Sequence, residues 1–106
     1  MAEALVEHRY PDAFAFLQAH DPESLAVLHD LLARAELRDG QPVARRSVRD
    51  IAADVFLSKD TVHRRIESLL HAGVLRRIPS RDATSTYAVD LRGTGIALNG
   101  ARRSAR

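Results

Sequence analysis

The sequence predicts an α+β fold, mainly α-helical, with a small β-hairpin toward its C-terminal end. Three observations carry this expectation. Apolar residues recur at helical spacing in four stretches between residues 11 and 71. Asp21, Ser47 and Ser58, good N-cap residues, stand directly ahead of three of those stretches. Beyond Gly73 the spacing changes to that of strands.

The first helix is expected from Pro11 to Ala19. Tyr10, Phe14 and Leu17 fall at i, i+4 and i+7, one apolar stripe, while Phe16 lies almost opposite with Ala13 and Ala19. A small domain usually covers only one face of such a helix. Either Phe16 tucks under a neighbouring loop, or the helix contributes to a subunit interface. The second reading makes Tyr10, Phe14, Phe16 and Leu17 candidate dimer contacts.

Asp21 caps the second helix, Pro22 suits its first position, and Glu23 favours the positive end of its dipole. Leu25, Leu28, Leu32 and Ala35 keep helical spacing with Leu31 alongside, and Gly40 ends the run. Pro42 disfavours helix in Gln41–Arg46, so Val43 and Ala44 read as a very short strand. Ser47 caps a third helix, with Asp50 three residues on and Val48, Ile51, Ala52 and Val55 as its apolar face. Phe56 and Leu57 separate it from Ser58, the cap of a fourth helix from Lys59 to about His71. That helix buries Val62, Ile66, Leu69 and Leu70, and Gly73 suits a left-handed C-terminal cap. Val74, Leu75 and Ile78 then read as a strand, Pro79–Ser85 as a loop, and Thr86–Leu91 as a second strand in which Tyr87 and Val89 alternate. Arg92–Arg106 reads as a mobile basic tail.

Length and composition set the limits. The chain has 106 residues, 45% apolar and 28% charged, enough for one domain with one modest core. There is no cysteine, which excludes disulfides, cysteine-ligated zinc, iron–sulfur clusters and thiol chemistry. No apolar run approaches the roughly 20 residues that span a bilayer, and MAEALVEHRY lacks the layout of a leader, so a cytoplasmic, nucleoid-associated location is expected. Residues 1–40 carry eight acids against three arginines, net −5, whereas residues 41–106 carry thirteen bases against six acids, net +7. Such asymmetry suggests that the C-terminal part faces a polyanion. The cations are fifteen arginines and one lysine, and arginine makes two-pronged hydrogen bonds to phosphate and guanine.

The run Ile51-Ala52-Ala53-Asp54-Val55-Phe56-Leu57-Ser58-Lys59-Asp60-Thr61-Val62-His63-Arg64-Arg65-Ile66 resembles a helix-turn-helix. Its continuation, Glu67-Ser68-Leu69-Leu70-His71-Ala72-Gly73-Val74-Leu75, resembles the helix exit and first wing strand of a winged helix-turn-helix. Ala52 is small where two helices would cross, and Val55, Leu57, Val62 and Ile66 form a wedge between them. Phe56 departs from the pattern, since many such motifs place Gly there for a positive φ, and a variant turn geometry is expected. With Asp21-Pro22-Glu23-Ser24-Leu25 ahead of it, the chain resembles ArsR-type repressors over residues 20–91, and MarR-type regulators through the helix-turn-helix and wing. The paired cysteines of ArsR-type metal sensors are missing from Ser47-Val48-Arg49-Asp50-Ile51-Ala52-Ala53-Asp54-Val55, so that sensing role does not carry over.

The resemblance implies an arm at residues 1–10, a winged-helix domain at 11–91 (helix-turn-helix 48–71, wing 74–91) and a basic tail at 92–106. It implies sequence-specific binding of double-stranded DNA by a homodimeric transcriptional regulator. Lys59, Asp60, His63 and Arg64 are the candidate base readers, Arg64 on guanine. Arg45, Arg46, Arg49, Ser58, Thr61, Arg65, Arg76, Arg77 and Arg81 are candidate contacts to the DNA backbone, the last three from the wing. Alternatives are a winged-helix protein-interaction module, or a plasmid or phage maintenance protein on the same fold. His63, Glu67 and His71 share i, i+4, i+8 spacing, but no fourth ligand stands nearby and DNA claims the same face, so no metal or other cofactor is expected. Neither a nucleophile elbow nor a Gly-rich phosphate loop is present, and no enzymatic activity is expected.

Overall fold

A computed structural model of the protein describes residues 11–81 and 84–90. In chain order its elements are α1 (Pro11–His20), α2 (Pro22–Ala33), β1 (Glu36–Arg38), β2 (Gln41–Arg45), α3 (Val48–Val55), α4 (Lys59–His71), β3 (Leu75–Ile78) and β4 (Thr86–Val89). The architecture is α+β, with helices packed on one antiparallel sheet of order β1-β2-β4-β3.

The caps operate as their residue types dictate. Asp21 accepts from the Ser24 amide at 3.1 Å and from its hydroxyl at 2.6 Å, Ser47 accepts from the Asp50 amide at 3.0 Å, and Ser58 from the Thr61 amide at 3.1 Å. At the far end of α4, Gly73 takes φ +79°. Its amide donates to the Leu70 carbonyl and that of Val74 to Leu69, at 3.1 and 3.0 Å, the paired bonds of a Schellman ending.

The core forms where α2, α3 and α4 meet the inner face of the sheet. Leu28, Leu31 and Leu32 of α2, Ile51 of α3 and Val62 and Ile66 of α4 are all within 1% of full burial, against Ala44, Leu75, Tyr87 and Val89 of the sheet. Truncating one of these leucines or isoleucines to alanine typically costs about 2–5 kcal/mol.

In its elements and core the structure departs from the sequence reading in three places. The second helix stops at Ala33, and residues 36–45 form a hairpin instead of a helical tail and a very short strand. Arg38 pairs with Gln41 across Asp39 and Gly40, which take φ +52° and +79°. Two positive φ values suit the right-handed twist of a hairpin, and Asp-Gly supplies them cheaply. β4 lacks the expected alternation, because it lies between β2 and β3 and all four of its residues are buried. Phe14 and Leu17 are not accessible as subunit contacts. Both are buried in the core, with the Phe14 ring 5.4 Å from His29 of α2. Phe16 is half-buried and tilts against His20 at 4.5 Å. Tyr10, the fourth residue of that set, lies outside the described residues, as does the basic tail.

Candidate nucleic-acid interface

The amphipathic pattern of α4 decides what it shows to solvent. Val62, Ile66 and Leu69 turn inward and are buried, leaving Lys59, Asp60, His63, Arg64, Glu67 and Ser68 exposed on the outer side. All four expected base readers are in this exposed group, in the first two turns of the helix. Arg64 donates to Thr61 Oγ1 at 3.4 Å, and no carboxylate among the described residues pairs with it. Ser58 and Thr61 spend their polar groups on the cap, with the Ser58 hydroxyl donating to Thr61 Oγ1 at 2.9 Å.

The nine expected backbone contacts divide sharply. Arg49 and Arg81 are exposed. Arg46 is drawn inside, a correction to its expected role. Its Nε lies 3.2 Å from Asp30 and its Nη2 also bonds Asp54, leaving its side chain 15% exposed. Arg34 reaches the same Asp54 carboxylate at 3.2 Å, so four side chains from α2, α3 and the end of β2 form one ionic network. Burial pushes the Asp30 carboxyl above its ordinary range despite Arg46. Asp54 is held below its range, first by a hydrogen bond with Asp30 and then by the charges of Arg46 and Arg34.

Arg65 is also engaged within the fold. It bonds Asp21 at 3.5 Å, tying α4 to the start of α2, and is half-buried. Arg77 pairs with Glu67 at 3.5 Å and lies over the Tyr87 ring at 5.8 Å, so its charge is partly committed to holding β3 against α4. Arg45 and Arg76 occupy the sheet face turned away from the helical core. Register sets Arg45 opposite Thr86 and Arg76 opposite Ala88, out of phase with the inward Ala44 and Tyr87, and Arg76 bonds Gln41 across that outer face. The two therefore do not share a surface with α4.

Between α3 and α4 the backbone turns at Phe56, with φ 59° and ψ 38°. This is the left-handed conformation that glycine usually supplies, so the turn itself is regular and no variant geometry arises. A side chain in that region costs roughly 1–2 kcal/mol. The Phe56 side chain gains no packing to offset the strain, being 93% exposed, while the next residue, Leu57, packs against the core. The backbone demand at this position is legible in the sequence, whereas the exposure of Phe56 is not among the expectations drawn from it. The alternation of Val55 and Leu57 as wedge residues held the signal, because it leaves Phe56 pointing elsewhere.

Among the described residues no group of three or more His, Asp or Glu side chains is arranged to hold a metal ion. No described helix is long and apolar enough to cross a membrane. The chain matches no described protein family, no curated protein and no solved structure.

Proposed function

We propose that this protein is a winged helix-turn-helix regulator that binds double-stranded DNA in a sequence-specific way. In this reading α3 and α4 are the helix-turn-helix and β3–β4 is the wing. The observation that carries it is the outer side of α4, where Lys59, Asp60, His63 and Arg64 stand exposed at the N-terminal end. A helix of 13 residues is about 20 Å long, and its first two turns suit the major groove of B-DNA. Arg64 has the geometry to grip guanine N7 and O6, and Arg81, in the loop after β3, suits phosphate. Arg49, in the first turn of α3, suits phosphate as well, near a helix N-terminus that favours anions. The protein acts as a homodimer that sets two α4 helices about one DNA turn apart, with the outer side of α1 around Phe16 as the contact. Its place of action is the cytoplasm, on the nucleoid, and it needs neither a cofactor nor catalysis.

Selection from random duplexes, followed by affinity measured against salt, tests the reading. A pseudo-palindromic sequence should enrich, and log affinity should fall with log salt at about −0.9 per phosphate neutralised. Retention on every duplex without enrichment would leave only a nonspecific nucleoid protein. No retention at all favours a protein-interaction module, a reading that the acidic first 40 residues support, since they could meet a basic partner. A plasmid or phage maintenance protein would also enrich a palindrome and differs only in the site it acts on.

A further inference from the structure

The most conspicuous cost in the described structure is at Phe56. Its backbone sits where glycine would be unstrained, and the residue is 93% exposed, so no packing among the described residues compensates. Strain kept without internal compensation points to a use outside the chain. Its place in the chain says which. Leu57 is anchored in the core, Ser58 caps α4, and Lys59 follows, three residues from Phe56. Three virtual bonds of 3.8 Å keep Phe56 within about 11 Å of Lys59, at the end of α4 that carries the exposed base-reading set. The aromatic ring can neither donate nor accept a conventional hydrogen bond. In the major groove one base presents an apolar group to such a ring, the C5-methyl of thymine.

We infer that Phe56 is a specificity-determining residue that packs against a thymine methyl beside the bases read by α4. This rests on the DNA-binding reading above and adds to it a contact that no charge could make. The left-handed backbone then has a purpose. It turns the side chain out of the wedge between the helices, whereas a residue in the helical region would continue α3.

The test uses the full chain and the duplex obtained by selection. Thymidines are replaced one at a time by deoxyuridine, which removes the methyl and nothing else. Wild-type protein should lose about fourfold in affinity at one position in each half-site, the worth of one buried methyl-sized group. F56A should bind the thymidine duplex several-fold more weakly and be indifferent to uracil at that position. F56G, which relieves the backbone, should melt no lower than wild type and yet bind the thymidine duplex as weakly as F56A, which separates lost affinity from lost folding. If F56A binds the selected duplex as tightly as wild type, or keeps the full uracil penalty, the inference fails while the DNA-binding reading stands. If wild type itself holds no duplex, both fall.

Discussion

Arg46 and Arg64 are the same residue type in the same basic half of the chain, yet their side chains have opposite surroundings. Arg46 leaves β2 toward α2 and α3 and is clasped by Asp30 and Asp54; Arg64 leaves α4 toward solvent and meets a threonine hydroxyl. The difference lies entirely in neighbours. Asp30 is 16 residues from Arg46 in sequence, and only the packing of α2 against β2 and α3 brings the acid to it. A count of arginines therefore overstates the surface that a polyanion can meet. What distinguishes a guanidinium committed to the fold from one left available at the surface is whether a carboxylate from another element reaches it.

Arg46→Ala is the most disruptive way to probe that contrast. It leaves Asp30, 6% exposed, without its cation. Removing one partner of a buried pair costs 3–5 kcal/mol, and a loss of about 3 kcal/mol is expected here because the Asp54 side of the network is open to solvent. Urea unfolding at neutral pH measures it. The pH dependence has a definite sign. Burial already raises the Asp30 carboxyl, and losing Arg46 removes the charge that opposes that rise. The folded variant then binds a proton more tightly than the unfolded chain, so its deficit should shrink as pH falls through the raised value. Asp54, held low in the wild type, works the other way, losing its stabilising contribution as pH falls through its lowered value. Arg46→Ala with Asp30→Asn should recover part of the loss at pH 7. A deficit that stays flat with pH, with no recovery in the double variant, would mean the network contributes packing and not charge pairing.

Local chemistry in the sequence foretold the frame around this contrast. Each cap at Asp21, Ser47, Ser58 and Gly73 depends on residues within about four positions, and each lies where local reasoning puts it. The hairpin at residues 36–45 was legible too, through Asp39-Gly40, but the helical spacing of Leu28, Leu32 and Ala35 runs up to it and masks it. β1 offers little pattern of its own, since all three of its residues are exposed. The candidate site divides on the same principle. Exposure of Lys59, Asp60, His63 and Arg64 follows from the period of α4 alone. The capture of Arg65 by Asp21, 44 residues away, and of Arg46 by Asp30 and Asp54 follows from tertiary contacts that no periodicity encodes.

Arg64→Ala addresses the other side of the comparison. Nothing in the core depends on it, so unfolding free energy should change by less than about 0.5 kcal/mol. Affinity for the selected duplex should fall by roughly 1–3 kcal/mol, and repeating the selection with the variant should relax preference at one base pair per half-site. If the variant unfolds early, Arg64 belongs with Arg46 as a structural residue. If it loses affinity equally for all sequences, its partner is phosphate.

The smallest expected effects separate the two faces of the sheet. Arg81 lies exposed just past β3, whereas Arg76, five residues before it, bonds Gln41 on the face turned from α4. If α4 and the β3–β4 loop meet DNA together, Arg81→Ala removes one phosphate contact. It should weaken every sequence about equally and make the salt slope shallower by about 0.9. Arg76→Ala should change neither affinity nor slope, because a duplex seated on α4 does not extend around the sheet to its outer face. Equal losses from both substitutions would require DNA to wrap the sheet edge, and Arg45, on the same outer face as Arg76, would then return to the binding surface. The pair works because each substitution removes one positive charge from the same hairpin. Net charge changes equally, so any difference in the slope reports where the charge sits.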